Sequence, residues 1–211
     1  MKIGEVEYKG LKFKYRHDTT DWGIIKEACG GLNTRFFDVK PGEYWFDIGA
    51  HIGAFTCYAL SKGAIVEAFE PVPDNFCLLK QNVAINGFVA PQVELWNSAI
   101  TKNGGFIKLF IDTNNYGNCS IYERGTSQTI IVDSFPTSDF DKDNPYCLKV
   151  DTEGCEYEIL SGLDLTNCQK LILENHYWLQ PKENTIGIIK LMNDYFNHYE
   201  EYGGYMCYAW K

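Results

Sequence analysis

The stretch Tyr44-Trp45-Phe46-Asp47-Ile48-Gly49-Ala50-His51-Ile52-Gly53 constrains the fold more than any other part of the chain. The apolar, strand-forming run Tyr44 to Ile48 passes directly into a turn carrying Gly49 and Gly53, and Ile52 to Leu60 then places apolar residues at helical spacing. Strand, glycine turn and helix in that order begin a parallel crossover unit, in which the turn offers backbone N–H groups and a helix N-terminus to a ligand. The glycines do not follow the Gly-x-Gly-x-x-Gly spacing, because Ala50 and His51 come straight after Gly49, and this disfavours a dinucleotide ligand.

The rest of the chain repeats the alternation. Residues 1 to 17 read as a hairpin around Lys9-Gly10, and Thr20 to Gly31 as a capped helix, together an N-terminal cover over residues 1–43. Strands are expected at Ile65 to Phe69, Val93 to Trp96, Tyr146 to Val150, Leu171 to Leu173 and Tyr205 to Trp210. Helices are expected at Asp74 to Asn86, Tyr157 to Leu163 and Ile186 to Phe196. The β-rich runs Phe106 to Ile111 and Thr129 to Val132, around the polar stretch Thr113 to Gly125, read as an inserted hairpin and loop. The sum is an α/β, doubly wound, mostly parallel sheet with an antiparallel terminal strand, in a single domain over 1–211 whose core is 44–211.

Composition narrows the partners. A formal net charge of -9, with Lys and Arg scattered, opposes binding to a phosphate backbone, so nucleic acid is not expected as substrate. No apolar run approaches the ~20 residues needed to span a bilayer, so no membrane insertion is expected. The 8 cysteines form no Cys-x-x-Cys pair and read as reduced thiols in a cytoplasmic protein.

Two acids close adjacent strands. Asp47 ends the first, and Glu70, before Pro71, ends the second about 20 residues on, where a carboxylate can accept both hydrogen bonds of a ribose diol. That pair suits an adenosyl ligand. Asp47 to Gly53, Ala68-Phe69-Glu70-Pro71-Val72-Pro73-Asp74-Asn75-Phe76, Asn82 to Gly87, and Leu148-Lys149-Val150-Asp151-Thr152-Glu153-Gly154-Cys155-Glu156 resemble the FkbM family of methyltransferases. The resemblance runs in order from about residue 44 to about residue 176 and departs at His51, where the family pattern has Asn. It implies a Rossmann-like methyltransferase fold using S-adenosylmethionine. Asp47, Gly49 and Gly53 would line its methionine part, Glu70 would hold the ribose, Asn97, Ser98 and Ala99 would lie near adenine, and Ala50, His51 and Pro71 would complete the cofactor site. The family is associated with O-methylation of natural products and glycans, which implies a carbohydrate or similar polar acceptor.

A sugar hydroxyl is a poor nucleophile until its proton leaves, which calls for a base or a metal. Asp151 and Glu153 after one strand, and Glu174 and His176 after the next, are the catalytic candidates. Asp151, Glu174 and His176 also suit an oxygen-preferring cation such as Mg2+, kept as the minor alternative. Glu156 and Glu158 read as helix-face residues, with Glu156 as a possible loop anchor, and His17 and His198 as solvent-facing. Tyr116, Tyr122, Tyr177 and Trp178 fall in loops overhanging the strand ends and would stack on a sugar or pack a lid. A nicotinamide-dependent oxidoreductase and a catalytically inactive cofactor-binding domain remain the alternative readings. A homodimer through the edge of the terminal strand, and association with a glycosyltransferase, are the assemblies considered.

Overall fold

The computed structural model describes residues 2–30, 38–112, 119–123, 128–140 and 144–211. Strands β1 (Ile3–Tyr8) and β2 (Leu11–Arg16) form the N-terminal hairpin, followed by helix α1 (Asp21–Gly30). The main unit then runs β3 (Tyr44–Ile48), α2 (Ala54–Ser61), β4 (Ile65–Phe69), α3 (Pro73–Ile85) and β5 (Val93–Trp96). Next come the short strands β6 (Ala99–Thr101), β7 (Gly105–Ile111) and β8 (Gln128–Pro136). The chain closes with β9 (Tyr146–Val150), α4 (Glu156–Gly162), β10 (Cys168–Glu174), α5 (Lys182–Tyr195), β11 (His198–Tyr202) and β12 (Met206–Trp210).

The central sheet is seven-stranded in the order β11-β12-β10-β9-β3-β4-β5. Strands β10, β9, β3, β4 and β5 are mutually parallel, and β12 runs antiparallel to both of its neighbours, β10 and β11. The doubly wound expectation holds with one correction: β12 lies between β10 and β11, so the expected terminal edge strand is interior and β11 forms the edge. The pattern of β11, His-Tyr-Glu-Glu-Tyr, is mostly exposed, and its acids discourage pairing with a second sheet. The inserted segment is likewise more than a hairpin, since β6, β8 and β7 make a separate three-stranded sheet.

Alternation along each strand builds a core on both faces. Trp45 on β3 and Cys147 on β9 point to the face covered by the hairpin, α1, α2 and α3, where Phe13, Ile25, Phe55 and Leu79 pack. Phe46, Ile48, Leu148 and Val150 point to the other face, against Ile159 and Leu160 of α4 and Met192 of α5. Each such fully buried side chain contributes roughly 1.5–3 kcal/mol. The same alternation turns Asp47 and Lys149, register partners on β3 and β9, to the hairpin side.

The cover is pinned by asparagines of α3. Asn82 accepts from Lys14 N at 2.7 Å and donates to Ile52 O at 2.8 Å, joining hairpin, helix and glycine turn. Asn86 likewise pairs with the backbone of Lys12. His17 is half-buried against Tyr15, whereas His198 is solvent-facing as expected and stacks on Trp210 at 5.3 Å. All 8 cysteines are free thiols, six of them buried. Among the described residues no helix is long and apolar enough to cross a membrane.

Candidate active site

At the carboxyl ends of β3, β4, β9 and β10 the structure opens a cavity of about 300 Å³, at the lower end of small-ligand pockets. Its floor is the glycine turn. Gly49 has φ +79°, and a Cβ there would sit 1.8 Å from the carbonyl oxygen of Asp151, so only glycine lets the β3 and β9 loops approach this closely. Gly53, at φ +83°, has the same character against Leu79. The N–H groups of Gly49 and Ala50 donate to Phe69 O at 3.0 Å each, which lashes the turn to β4.

Glu70 organises the next loop. Its buried carboxylate accepts from His51 N and Val72 N at 2.8 Å each and from Asn75 Nδ2 at 3.2 Å. Burial nevertheless pushes its pKa up to about 7, against these hydrogen bonds. Glu70, Pro71, Gly49, Ala50, His51, Ser98 and Ala99 all line the cavity. Asp47, Gly53 and Asn97 do not. Asp47 is fully buried beneath the turn, where it accepts from Thr56 Oγ1 at 2.6 Å and pairs with Lys149 Nζ at 3.2 Å. Asn97 donates to the carbonyls of Glu70 and Pro71, bracing that peptide from behind. Ser98 donates to Asp133 O at 2.9 Å, so its hydroxyl ties β5 to the small sheet.

Of the catalytic candidates, Asp151, Glu153 and Glu174 line the cavity, and His176 is buried beside them. Ligand-type atoms of Asp151, Glu174 and His176 lie within 4.8 Å of one another. His176 Nε2 is 3.5 Å from Glu153 and 3.6 Å from Glu174, while Nδ1 is 2.9 Å from Glu156. Glu156 is therefore no surface helix residue. It is fully buried, and the same oxygen accepts from Gly154 N at 2.9 Å, so it anchors the loop and orients the imidazole.

These neighbours set the charge states. Burial works against the His176 cation, but Glu153, Glu156 and Asp151 outweigh it and push the pKa up to about 11. At neutral pH the ring is an imidazolium, the opposite of the resting state a histidine base requires. Burial and the adjacent Asp151 push Glu174 up to about 8. Lys149, also buried, is held protonated above its ordinary range by Asp47 and Asp151, and it donates to Gly49 O at 2.6 Å.

Three lining residues of α1 lacked a readable signal in the sequence. Ile24, Glu27 and Ala28 of α1 form one wall, so the N-terminal cover is part of the site. Ser120 donates to Glu153 O at 2.5 Å, fastening the insert to the loop after β9, and Tyr122 packs on Gly154. Tyr177 and Trp178 are about half exposed, with Trp178 edge-on to His176 at 5.3 Å. Tyr116 lies outside the described residues.

This arrangement of glycine turn, acid at the next strand end and acid-rich loop after β9 agrees with a family comparison. The methyltransferase FkbM domain matches residues 47–203. The chain belongs to the FkbM methyltransferase family. Among FkbM-related sequences, the hexuronic acid methyltransferase AglP of Haloferax volcanii is 33% identical over 188 residues, covering 87% of this chain and 77% of AglP. The 31-O-demethyl-FK506 methyltransferase FkbM of Streptomyces tacrolimicus is 32% identical over 94 residues, covering 44% of this chain and 33% of that protein. The fold is shared with the crystal structure of a methyltransferase FkbM from Methylobacillus flagellatus, at a TM-score of 0.58 and 15% identity. That alignment covers 87% of this chain but 47% of the other, so this chain spans about half the length of that relative. FkbM membership sets aside the nicotinamide reading of the glycine turn.

Proposed function

We propose that this FkbM-family chain transfers a methyl group from S-adenosylmethionine to a hydroxyl of a carbohydrate, with Glu174 as the general base. The observation that carries this reading is the meeting of Glu70 and the glycine turn with Asp151 and Glu174 around one cavity. The 33% identity to a hexuronic acid methyltransferase supports a sugar acceptor.

The residues present fit the cofactor. Glu70 lines the cavity and would hold the ribose, and Ser98, Ala99 and Ile100, which also line it, would lie near adenine. Asp151, Glu174 and Glu27 face the region a cationic sulfonium and ammonium would occupy. Bound there, the cofactor supplies an activated methyl group. This chain's part is to orient the acceptor in line with it and to remove a proton. Glu174, with its pKa near 8, is ionised in part at neutral pH and basic enough to take a hydroxyl proton, as the matching of pKa to working pH requires. The imidazolium of His176, fixed by Glu156, holds Glu153 and Glu174 in place. A divalent cation on Asp151, Glu174 and His176 is the less favoured reading, since His176 and Lys149 already supply positive charge among these acids.

Calorimetric titration with S-adenosylhomocysteine of the wild type and of Glu70→Ala tests the cofactor half. Binding by the wild type and at least a tenfold loss in the variant are expected, and no binding by the wild type refutes it. Incubation with S-adenosylmethionine and oligosaccharides ending in neutral, deoxy or uronic sugars, with and without chelator, tests the acceptor half. The expected product gains one methyl on oxygen whether or not chelator is present. A chelator-sensitive reaction would restore the metal reading.

A further inference from the structure

A second cavity, of about 230 Å³, opens on the face of the central sheet turned away from the N-terminal cover, between β3, β4 and β5 and the end of β8. Strand alternation turns Phe46, Glu67 and Phe69 to this face. Five aromatic rings wall it and touch in series. Ring centroids are 4.5 Å apart for Phe46 and Phe140, 5.5 Å for Phe140 and Phe69, 6.1 Å for Phe69 and Phe135, and 5.3 Å for Phe135 and Trp96.

Glu67 is the residue out of keeping with these walls. It sits in the middle of β4, half-buried. Its oxygens accept from Tyr44 Oη at 2.8 Å and from Trp96 Nε1 at 2.9 Å, which fixes the carboxylate without cancelling its charge. No Lys or Arg lines the cavity, and among the described residues Glu67 has no ion pair. The other acid in the wall, Asp139, is exposed and of the same sign. A carboxylate drawn partly out of water keeps a desolvation cost until a positive charge meets it.

The same walls say which cation. Aromatic rings attract a cation through their quadrupole and cage quaternary ammonium groups in particular. An unmethylated ammonium needs acceptors for three N–H groups. Both oxygens of Glu67 already accept, and the rings offer no lone pairs, so the cavity suits a cation with no N–H to satisfy. At a volume below the roughly 300–1,000 Å³ of drug-sized sites, the group must also be small.

We propose that this cavity binds a small quaternary ammonium group, with Glu67 and Asp139 supplying the opposite charge and the five rings the enclosing surface. Phe69 also lines the cofactor cavity, so the two sites share a wall. Occupancy of the second needs no methyl donor and no sugar.

Calorimetry on the full chain at physiological ionic strength, with choline, ethanolamine and 3,3-dimethylbutan-1-ol, the neutral carbon isostere of choline, tests this. Choline is expected to bind at one site, tighter than either analogue by about tenfold or more. Glu67→Gln, which keeps an acceptor but loses the charge, should lose most of that preference. Phe135→Leu, which removes one ring, should weaken choline several-fold, and melting curves check that both variants fold. In nitrogen-15-labelled wild type the indole N–H signal of Trp96, assigned by its loss in Trp96→Phe, should move as choline is added. No saturable binding of choline by the wild type, or equal binding of ethanolamine or of the neutral isostere, overturns the proposal. So does a preference for choline that is undiminished in Glu67→Gln.

Discussion

Lys149→Met removes the cation 3.2 Å from Asp47 and leaves a carboxylate with no exposed surface in the sheet. The two residues are register partners on adjacent strands, so the backbone cannot shift to expose the acid without breaking the ladder. Deleting one member of a buried pair costs about 3–5 kcal/mol, because the stranded charge keeps its desolvation penalty. In a chain of this size each kcal/mol moves Tm by about 2–4 °C, which gives a fall of roughly 6–20 °C. Scanning calorimetry on the wild type, Lys149→Met and the double variant Lys149→Met/Asp47→Asn measures it. The double variant should recover half or more of the loss, since it neutralises the stranded group. A single variant melting within 2 °C of the wild type, or a double variant no better than the single, would refute the reasoning.

Turnover should rise with pH through a midpoint near 8 and level off only above it, because Glu174 must shed a proton held by burial and Asp151. Glu174→Gln should flatten that rise and lower kcat by about 10²–10⁴, and an unchanged pH–rate profile removes Glu174 from the role. Gly49→Ala should abolish S-adenosylhomocysteine binding and lower Tm, since its Cβ meets the Asp151 carbonyl at 1.8 Å. Gly87→Ala is the control: it has a similar positive φ but nothing within 4 Å, and should cost only about 1–2 kcal/mol by urea denaturation. Trp178→Ala should raise the acceptor KM several-fold while S-adenosylhomocysteine affinity stays constant, and a parallel loss of both would make Trp178 structural.

Much of this fold is legible in the sequence. The buried parallel strands announce themselves as apolar runs, and β3, β4, β5 and β9 begin and end where the runs do. β6 escaped because three residues are too few to show a period, and β11 because an exposed edge strand of polar residues has no alternation. The acids at the strand ends were legible because topology alone brings them to one rim. The contacts of Arg16 with Asp21 and His51 were not, since they span the gap between hairpin and turn. Lys149 did leave a trace: a lysine within the apolar run Tyr146 to Val150 implies a buried partner, although the residues alone do not say that Asp47 is that partner. Its protonation, like that of His176, is a property of assembled neighbours.

The hydrogen bond from Ser120 to the Glu153 carbonyl ties the insert to the loop after β9. The segment between β7 and β8 reaches the reactive loop through this contact and the packing of Tyr122 on Gly154, whereas the glycine turn hangs from Phe69, Glu70 and Lys149. Changes of length or composition in that segment therefore act on the loop after β9 through Ser120 and on the cavity wall beside Val72 and Ala99 through Cys119 and Ile121. One short segment thus joins two sides of the cavity, so that neither wall can be rebuilt there without moving the other.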